Sequence, residues 1–260
     1  MDDIETLISE YRDKHYIIVR GFYPQALVQG YHDYLRTALS TEVAPIFAAQ
    51  GLDMQAPDAT ARVARHIAEG TNLDPAIKQV LLGHFPLKVR LSERINPLAL
   101  HLGQSTLLKR LLNSEHLFMH MPAMMRFVPP HYRPAAVPPH QDSSYNAHMD
   151  NFVTVWTPLV PIDKECGGMI MYEGSQHRTE AVAQGNNGWL EAIDTSTFPA
   201  HQLVGLEPGD VVILSPQIVH GSAPNVSNRT RLSMDLRIFG EHARSSKHHM
   251  NLDTLEILAA

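Results

Sequence analysis

His140, Gln141 and Asp142 set an imidazole and a carboxylate two residues apart near the middle of the chain. On a β-strand, positions 140 and 142 project to the same side, about 6.6 Å apart along it, so both can close on one metal ion. His220, from a neighbouring strand, would complete a face of two imidazoles and one carboxylate. That arrangement leaves the opposite positions open for a co-substrate and oxygen on Fe(II). With 16 histidines and 14 aspartates among 260 residues, a bare His-x-Asp is expected about once by chance, and a second copy does occur at His148-Met149-Asp150. The order of the surrounding elements must therefore separate the two. Arg231 follows His220 by 11 residues. Its planar fork can give a buried dicarboxylate two parallel hydrogen bonds while staying charged, and Ser233, facing the same way, can donate a third.

The elements that must position these groups fall into two parts. Ile4, Leu7, Ile8 and Tyr11 recur at helical spacing, Tyr16-Ile17-Ile18-Val19 reads as a strand, and a second helix is expected from near Pro24 towards Leu39. Residues 40–117 read as mostly helical, broken at Gly51, Gly70, Pro86 and Pro97. Beyond 117 the pattern changes to short apolar runs. Leu117-Phe118-Met119, Met124 to Val128, Phe152 to Leu159, Met169 to Tyr172, Val211 to Leu214 and Arg231 to Phe239 are separated by Pro, Gly and Asn. A stiff loop, Pro129 to Pro139, delivers the chain to His140. Strands in this order predict an α+β, mainly β chain: an antiparallel sandwich or barrel with the amino-terminal and inserted helices on the outer face of its larger sheet. We divide one domain, 1–260, into a helical part at 1–117, a β core at 118–240 and a tail at 241–260.

The last long strand tests that picture. Leu232, Met234, Leu236 and Ile238 alternate with Arg231, Ser233, Asp235 and Arg237, giving one apolar and one polar face. Beneath a layer of helices the apolar face is the outer one. The polar face then lines the interior, where it needs a ligand or partners.

Composition narrows the remaining classes. A formal charge of −6 argues against broad binding to nucleic acid or anionic membranes, and no apolar run approaches the roughly 20 residues of a membrane span. A single cysteine, Cys166, and the acidic start Met1-Asp2-Asp3 lead us to expect a reducing cytoplasm. The expected partner is a small molecule; oligomeric state is not legible.

The ordered set resembles the phytanoyl-CoA dioxygenase family of Fe(II)/2-oxoglutarate oxygenases. The matching features are the His140-Gln141-Asp142 triplet after a loop and the strand Val153-Thr154-Val155-Trp156. Gly167-Gly168 then precede the turn Gly174-Ser175-Gln176-His177, and Pro208-Gly209-Asp210 precede a strand, with His220 and Arg231 behind. The stretch from Glu10 to Phe22 also looks like the family's opening. The resemblance implies a double-stranded β-helix, a jelly-roll or cupin-like fold. It implies Fe(II) on His140, Asp142 and His220, and Arg231 with Ser233 holding the C5 carboxylate of 2-oxoglutarate. Oxidative decarboxylation with O2 would yield succinate and CO2 and lead, as a rule, to hydroxylation. Halogenating relatives have a small residue in place of the carboxylate, so Asp142 disfavours halogenation. By the same order His148 falls in a connecting segment, at a pocket edge or on the surface.

Arg126, Tyr132, Arg133, Tyr145, Asn146, Trp156 and Arg237 flank the triad and read either as contacts to a polar substrate or as structural residues, Trp156 more as core. Thr157 is expected beside the metal with it. Lys88, Arg90 and Arg94 read either as a group that meets an anionic substrate or, more so, as a solvated helix face, the segment from Arg178 to Glu207 as either a lid or a surface excursion, and His242, His248 and His249 as exposed tail. The rival to an oxygenase is a β-helix protein that binds metal as an isomerase or sensor; a third reading is a non-catalytic binding relative.

Overall fold

The computed structural model describes residues 3–70, 73–177 and 189–259. Nine helices lie among them: α1 Ile4–Lys14, α2 Gln25–Ala38, α3 Ala44–Ala49, α4 Ala59–Glu69, α5 Pro75–Leu81, α6 Leu87–Arg90, α7 Asn96–Gly103, α8 Thr106–Leu112 and α9 Asp142–Tyr145. The strands are β1 Tyr16–Val19, β2 Leu117–His120, β3 Met124–Val128, β4 Phe152–Pro158, β5 Met169–Tyr172, β6 Ala200–Gln202, β7 Val211–Leu214, β8 His220–Ser222, β9 Arg231–Gly240, β10 His249–Asn251 and β11 Ile257–Leu258. As expected, helices come first and strands after, apart from β1 and the short α9.

The strands form two sheets. The larger runs β1-β7-β4-β9-β2-β10-β11, with β3 also on β9; the smaller runs β6-β5-β8. β9 is the spine of the larger sheet. It is long enough to pair along one edge with both β3 and β2, Ser233 opposite Arg126 and Phe239 opposite Phe118, and along the other with β4 from Phe152 to Pro158. Its alternation has the predicted consequence: Leu232, Met234, Leu236 and Ile238 join a buried cluster with α1, α2, α7 and α8 residues such as Leu7, Leu35, Leu98 and Leu108. Burying such side chains contributes roughly 1.5–3 kcal/mol each. The opposite face of β9 looks across at the smaller sheet, completing a double-stranded β-helix with the helices outside the larger sheet.

Three local expectations are corrected. Residues 140–142 are not a strand: His140 makes a lone bridge to His220, Gln141 is extended, and Asp142 opens α9. The extended Gln141 alone keeps its two neighbours facing one way. The 241–260 tail is largely not loose. β10 extends the larger sheet, because Met250 and Leu252 have an apolar edge at β2 to bury against. Of the 178–207 segment, residues 178–188 lie outside the described residues. The remainder is no free excursion: Trp189 and Ile193 are buried and β6 pairs with β5. No helix among the described residues is long and apolar enough to cross a membrane.

Candidate metal centre and active-site cavity

His140 and His220 are brought together by mutual backbone pairing, each amide donating to the other's carbonyl at 2.9 Å. That pairing joins the loop after Pro139 to β8 and sets the two imidazole centroids 4.4 Å apart. His140 Nδ1 lies 2.8 Å from the Pro138 carbonyl and His220 Nδ1 lies 3.1 Å from that of Ile218. A carbonyl only accepts, so each Nδ1 carries the proton and each Nε2 presents a lone pair. Asp142 is fully buried, and donor atoms of the three residues all lie within 4.8 Å of one another.

The carboxylate is itself held. Thr154 Oγ1 on β4 donates to Oδ2, and Arg237 Nη2 on β9 donates to Oδ1 at 2.8 Å. Burial opposes ionisation, yet Arg237 and the two imidazoles outweigh it and hold the Asp142 carboxyl well below the usual carboxylate range. Burial and neighbouring His140 push the His220 imidazole down to about 4, Asp142 only partly opposing them. At neutral pH His220 is therefore neutral and Asp142 ionised, the protonation states a divalent metal requires of an imidazole and a carboxylate.

These groups open on a cavity of about 460 Å³ between the sheets. Arg231 lines it, 2% exposed, with Nη1 donating to the Gly167 carbonyl and Nε without a partner. Ser233, fully buried on the same face of β9, also has a hydroxyl with no partner among the described residues. A buried guanidinium with no carboxylate at salt-bridge distance among the described residues, beside an unsatisfied hydroxyl, is costly unless an anion completes it. The residues present thus fit both a divalent metal and a dicarboxylate co-substrate.

The flanking candidates separate. Arg126, Tyr145, Asn146, Trp156 and Arg237 line the cavity. Tyr145 packs edge-on to His140 and its hydroxyl accepts from the Leu190 amide; Asn146 donates to the Asp142 carbonyl. Tyr132 does not line it: its hydroxyl donates to the Leu81 carbonyl, and its ring packs on Phe47. Arg133 is exposed over a separate pocket of about 340 Å³. Thr157 points away from the metal set, since the strand's period of two turns it with Met234 towards the helices, where it meets Tyr23. His148 is half-buried, its ring 4.9 Å from that of His120. His242 and His248 are exposed, whereas His249 packs against Phe118 and Phe239.

Other lining residues were not singled out. Lys88 and Arg94 are exposed, but Arg90, at the end of α6, turns inward to the Ala123 and Pro122 carbonyls and lines the cavity. A solvated face and a single inward residue have the same local pattern; the carbonyls of Pro122 and Ala123, between β2 and β3, are what draw Arg90 inward. Gln79, His84, His120, Trp189 and Lys247 also line it. Helix ends and loops far apart in sequence supply them, and no local signal marks them.

A jelly roll whose two sheets enclose a His, Asp, His set is the architecture of the non-haem iron oxygenases. The family model described as phytanoyl-CoA dioxygenase matches residues 11–233, and the chain belongs to that family, enzymes dependent on Fe(II) and 2-oxoglutarate with O2 as co-substrate. Among curated proteins the chain is similar to 1-deoxypentalenic acid 11-beta-hydroxylase of Streptomyces arenae, 24% identical over 253 residues, covering 92% of this chain and 82% of the relative. Two solved structures share the fold. The nogalamycin-biosynthesis epimerase SnoN, in complex with Fe3+, alpha ketoglutarate and nogalamycin RO, has a TM-score of 0.54 at 21% identity, covering 93% and 85% of the two chains. EvdO2 from Micromonospora carbonacea var. aurantiaca, complexed with 2-oxoglutarate, has a TM-score of 0.57 at 16% identity, covering 98% and 95%.

Proposed function

We propose that this enzyme hydroxylates a small or medium-sized metabolite bearing polar groups, with release of succinate and CO2. The observation that carries the reading is one cavity lined by the clustered His140, Asp142 and His220 donors and by Arg231 with its Nε unsatisfied, Ser233 lying on the same face of β9 with an unsatisfied hydroxyl. The first three residues would hold Fe(II), and the last two the C5 carboxylate of 2-oxoglutarate. When bound, the Fe(II) and 2-oxoglutarate pair reduces O2 and supplies the oxidant for a substrate C–H bond.

The chain's own contributions follow from the geometry. Pro138 and Ile218 carbonyls fix both imidazoles in one tautomer. Thr154 and Arg237 keep Asp142 ionised and immobile. The burial of Arg231 excludes competing water, so its fork grips a carboxylate more strongly than an exposed arginine would. Asp142 fills the place a halide would need, which favours hydroxylation over halogenation. The lining mixes Asp235, Asn146 and Gln79 with Met124 and Val137, consistent with a polar metabolite. The relative's description as a hydroxylase supports the same outcome. A metal-binding isomerase or sensor gives Arg231 and Ser233 nothing to hold.

Anaerobic addition of Fe(II) and then 2-oxoglutarate to metal-free protein should produce a visible charge-transfer band. If no band appears, and no succinate forms in air with a broad metabolite panel, the reading is wrong.

A further inference from the structure

The cavity holds more positive charge than its cofactors use. Arg90, Arg126, Arg231, Arg237 and Lys247 line it against Asp142 and Asp235, an excess of three. Fe(II) and the 2-oxoglutarate dianion cancel each other and leave that excess in place. Arg231 is assigned to the co-substrate and Arg237 is tied to Asp142. Arg90, Arg126 and Lys247 remain.

Among the described residues only Arg126 has a carboxylate counter-ion, Asp235, and that at the limit of salt-bridge distance. Arg90 is half-buried and has no carboxylate within salt-bridge distance among the described residues. Its Nε and Nη2 donate to the Ala123 and Pro122 carbonyls, at 2.9 and 3.3 Å, leaving Nη1 without a partner there. Arg126 is 5% exposed and pinned from three sides. Nη1 lies 2.6 Å from His84 Nε2, Nη2 donates to the Ala135 carbonyl at 2.8 Å, and the guanidinium stacks 4.9 Å over Trp189. Its buried Nε has no hydrogen bond and meets Asp235 only at 4.0 Å. Lys247 is exposed at the rim with no acidic partner among the described residues. Burial lowers both arginines to about 10, which leaves them charged at neutral pH. The imidazole of His84, pressed by burial and by Arg126 and Arg90, stays neutral and serves as acceptor for Arg126.

We propose that Arg90 and Arg126, with Lys247 at the rim, form an anion subsite that holds a carboxylate on the substrate, the apolar lining of Met121, Met124, Val137 and Trp189 taking its body. With five hydrogen bonds already made by the two guanidiniums, their remaining N–H groups suit the two oxygens of a carboxylate better than the three of a phosphate. The inference deepens the oxygenase reading and rests on it for the assignment of Arg231 and for the reacting end of the molecule.

Both tryptophans of the chain, Trp156 and Trp189, line this cavity, so intrinsic fluorescence reports on it directly. Protein loaded with Mn(II) and 2-oxoglutarate, so that Arg231 is occupied, is titrated with phenylacetate, cinnamate, naphthalene-2-carboxylate and adamantane-1-carboxylate, each against its primary amide, and with benzyl phosphate. At least one acid should bind about 10- to 100-fold more tightly than its amide. Arg90→Gln should abolish that preference while 2-oxoglutarate affinity and circular dichroism stay unchanged; Arg126→Gln, the more buried change, should do the same if it folds. The proposal is overturned if no acid out-binds its amide, if the preference survives in Arg90→Gln, or if benzyl phosphate binds more tightly than every acid. A preference for acids without the charge-transfer band would retire the oxygenase reading and leave the anion subsite standing. A band without the preference would do the reverse.

Discussion

At the scale of single residues, the proposed metal set depends on neighbours outside it. Thr154 donates to one oxygen of Asp142 while Arg237 takes the other, so the carboxylate cannot rotate. Removing the hydroxyl alone, in Thr154→Val, keeps volume and charge. Iron affinity should fall about 10- to 100-fold, the usual cost of losing such a supporting hydrogen bond; titration with Fe(II) under anaerobic conditions checks it, and unchanged affinity would show that Arg237 suffices. Arg231→Lys loses the fork, so the 2-oxoglutarate KM should rise at least tenfold with iron binding kept. Unchanged co-substrate kinetics would dismiss Arg231 as the anchor. The two arginines nearest it in sequence are already engaged, Arg229 with Asp163 near the surface and Arg237 with Asp142.

At the scale of elements, the anchor depends on a turn. Gly167 has φ +76°, and a Cβ there would meet the Ala223 carbonyl at 2.7 Å and the Pro224 backbone at 2.8 Å. The same residue's carbonyl accepts from Arg231. Gly167→Ala should therefore destabilise the fold by about 1–3 kcal/mol and raise the 2-oxoglutarate KM together, measured by thermal melting and by co-substrate titration. A loss of stability with an unaltered KM would uncouple the turn from the anchor. β9 is readable from sequence because an eight-residue alternation of apolar and polar side chains, Arg231 to Ile238, has one physical solution beneath helices. The triplet at 140–142 was read as a strand because its short sequence cannot distinguish an extended stretch from one extended residue followed by a helical turn.

At the scale of the whole molecule, the interior is a polar chamber enclosed by apolar layers, and two of its histidines, buried His84 and half-buried His120, are held neutral. Burial and nearby cations lower His84 well below the ordinary histidine range and push His120 down to about 3. Such groups take up a proton more readily when the chain is unfolded. Their contribution to stability is complete above a pH of about 6.5 and is lost as pH falls below it towards the folded-state values. Metal-free protein should accordingly melt at lower temperature at pH 5 than at pH 7, losing about 1.4 kcal/mol per pH unit for each fully buried histidine. His84→Gln keeps an acceptor for Arg126 but cannot titrate, so its melting temperature should change less over that interval. An identical pH dependence would show that His84 is solvated in solution.

The sequence by itself determined the layer order and the inward face of β9. It also brought His140, Asp142, His220 and Arg231 forward as one ordered set, because strand alternation and the succession of motifs are local properties of the chain. Tertiary structure decided which other side chains share the chamber. Tyr132 and Arg133 flank the triplet in sequence yet lie outside it, whereas Arg90, on a helix that reads as solvent-facing, lies within. The difference has a physical cause. Alternation fixes a face within one element, but the cavity is assembled from loops and helix ends whose direction is set by packing against β3 and β9. The opening triplet is unchanged as a chemical proposition. Its geometry rests not on a strand but on the extended Gln141 and the backbone bridge to His220.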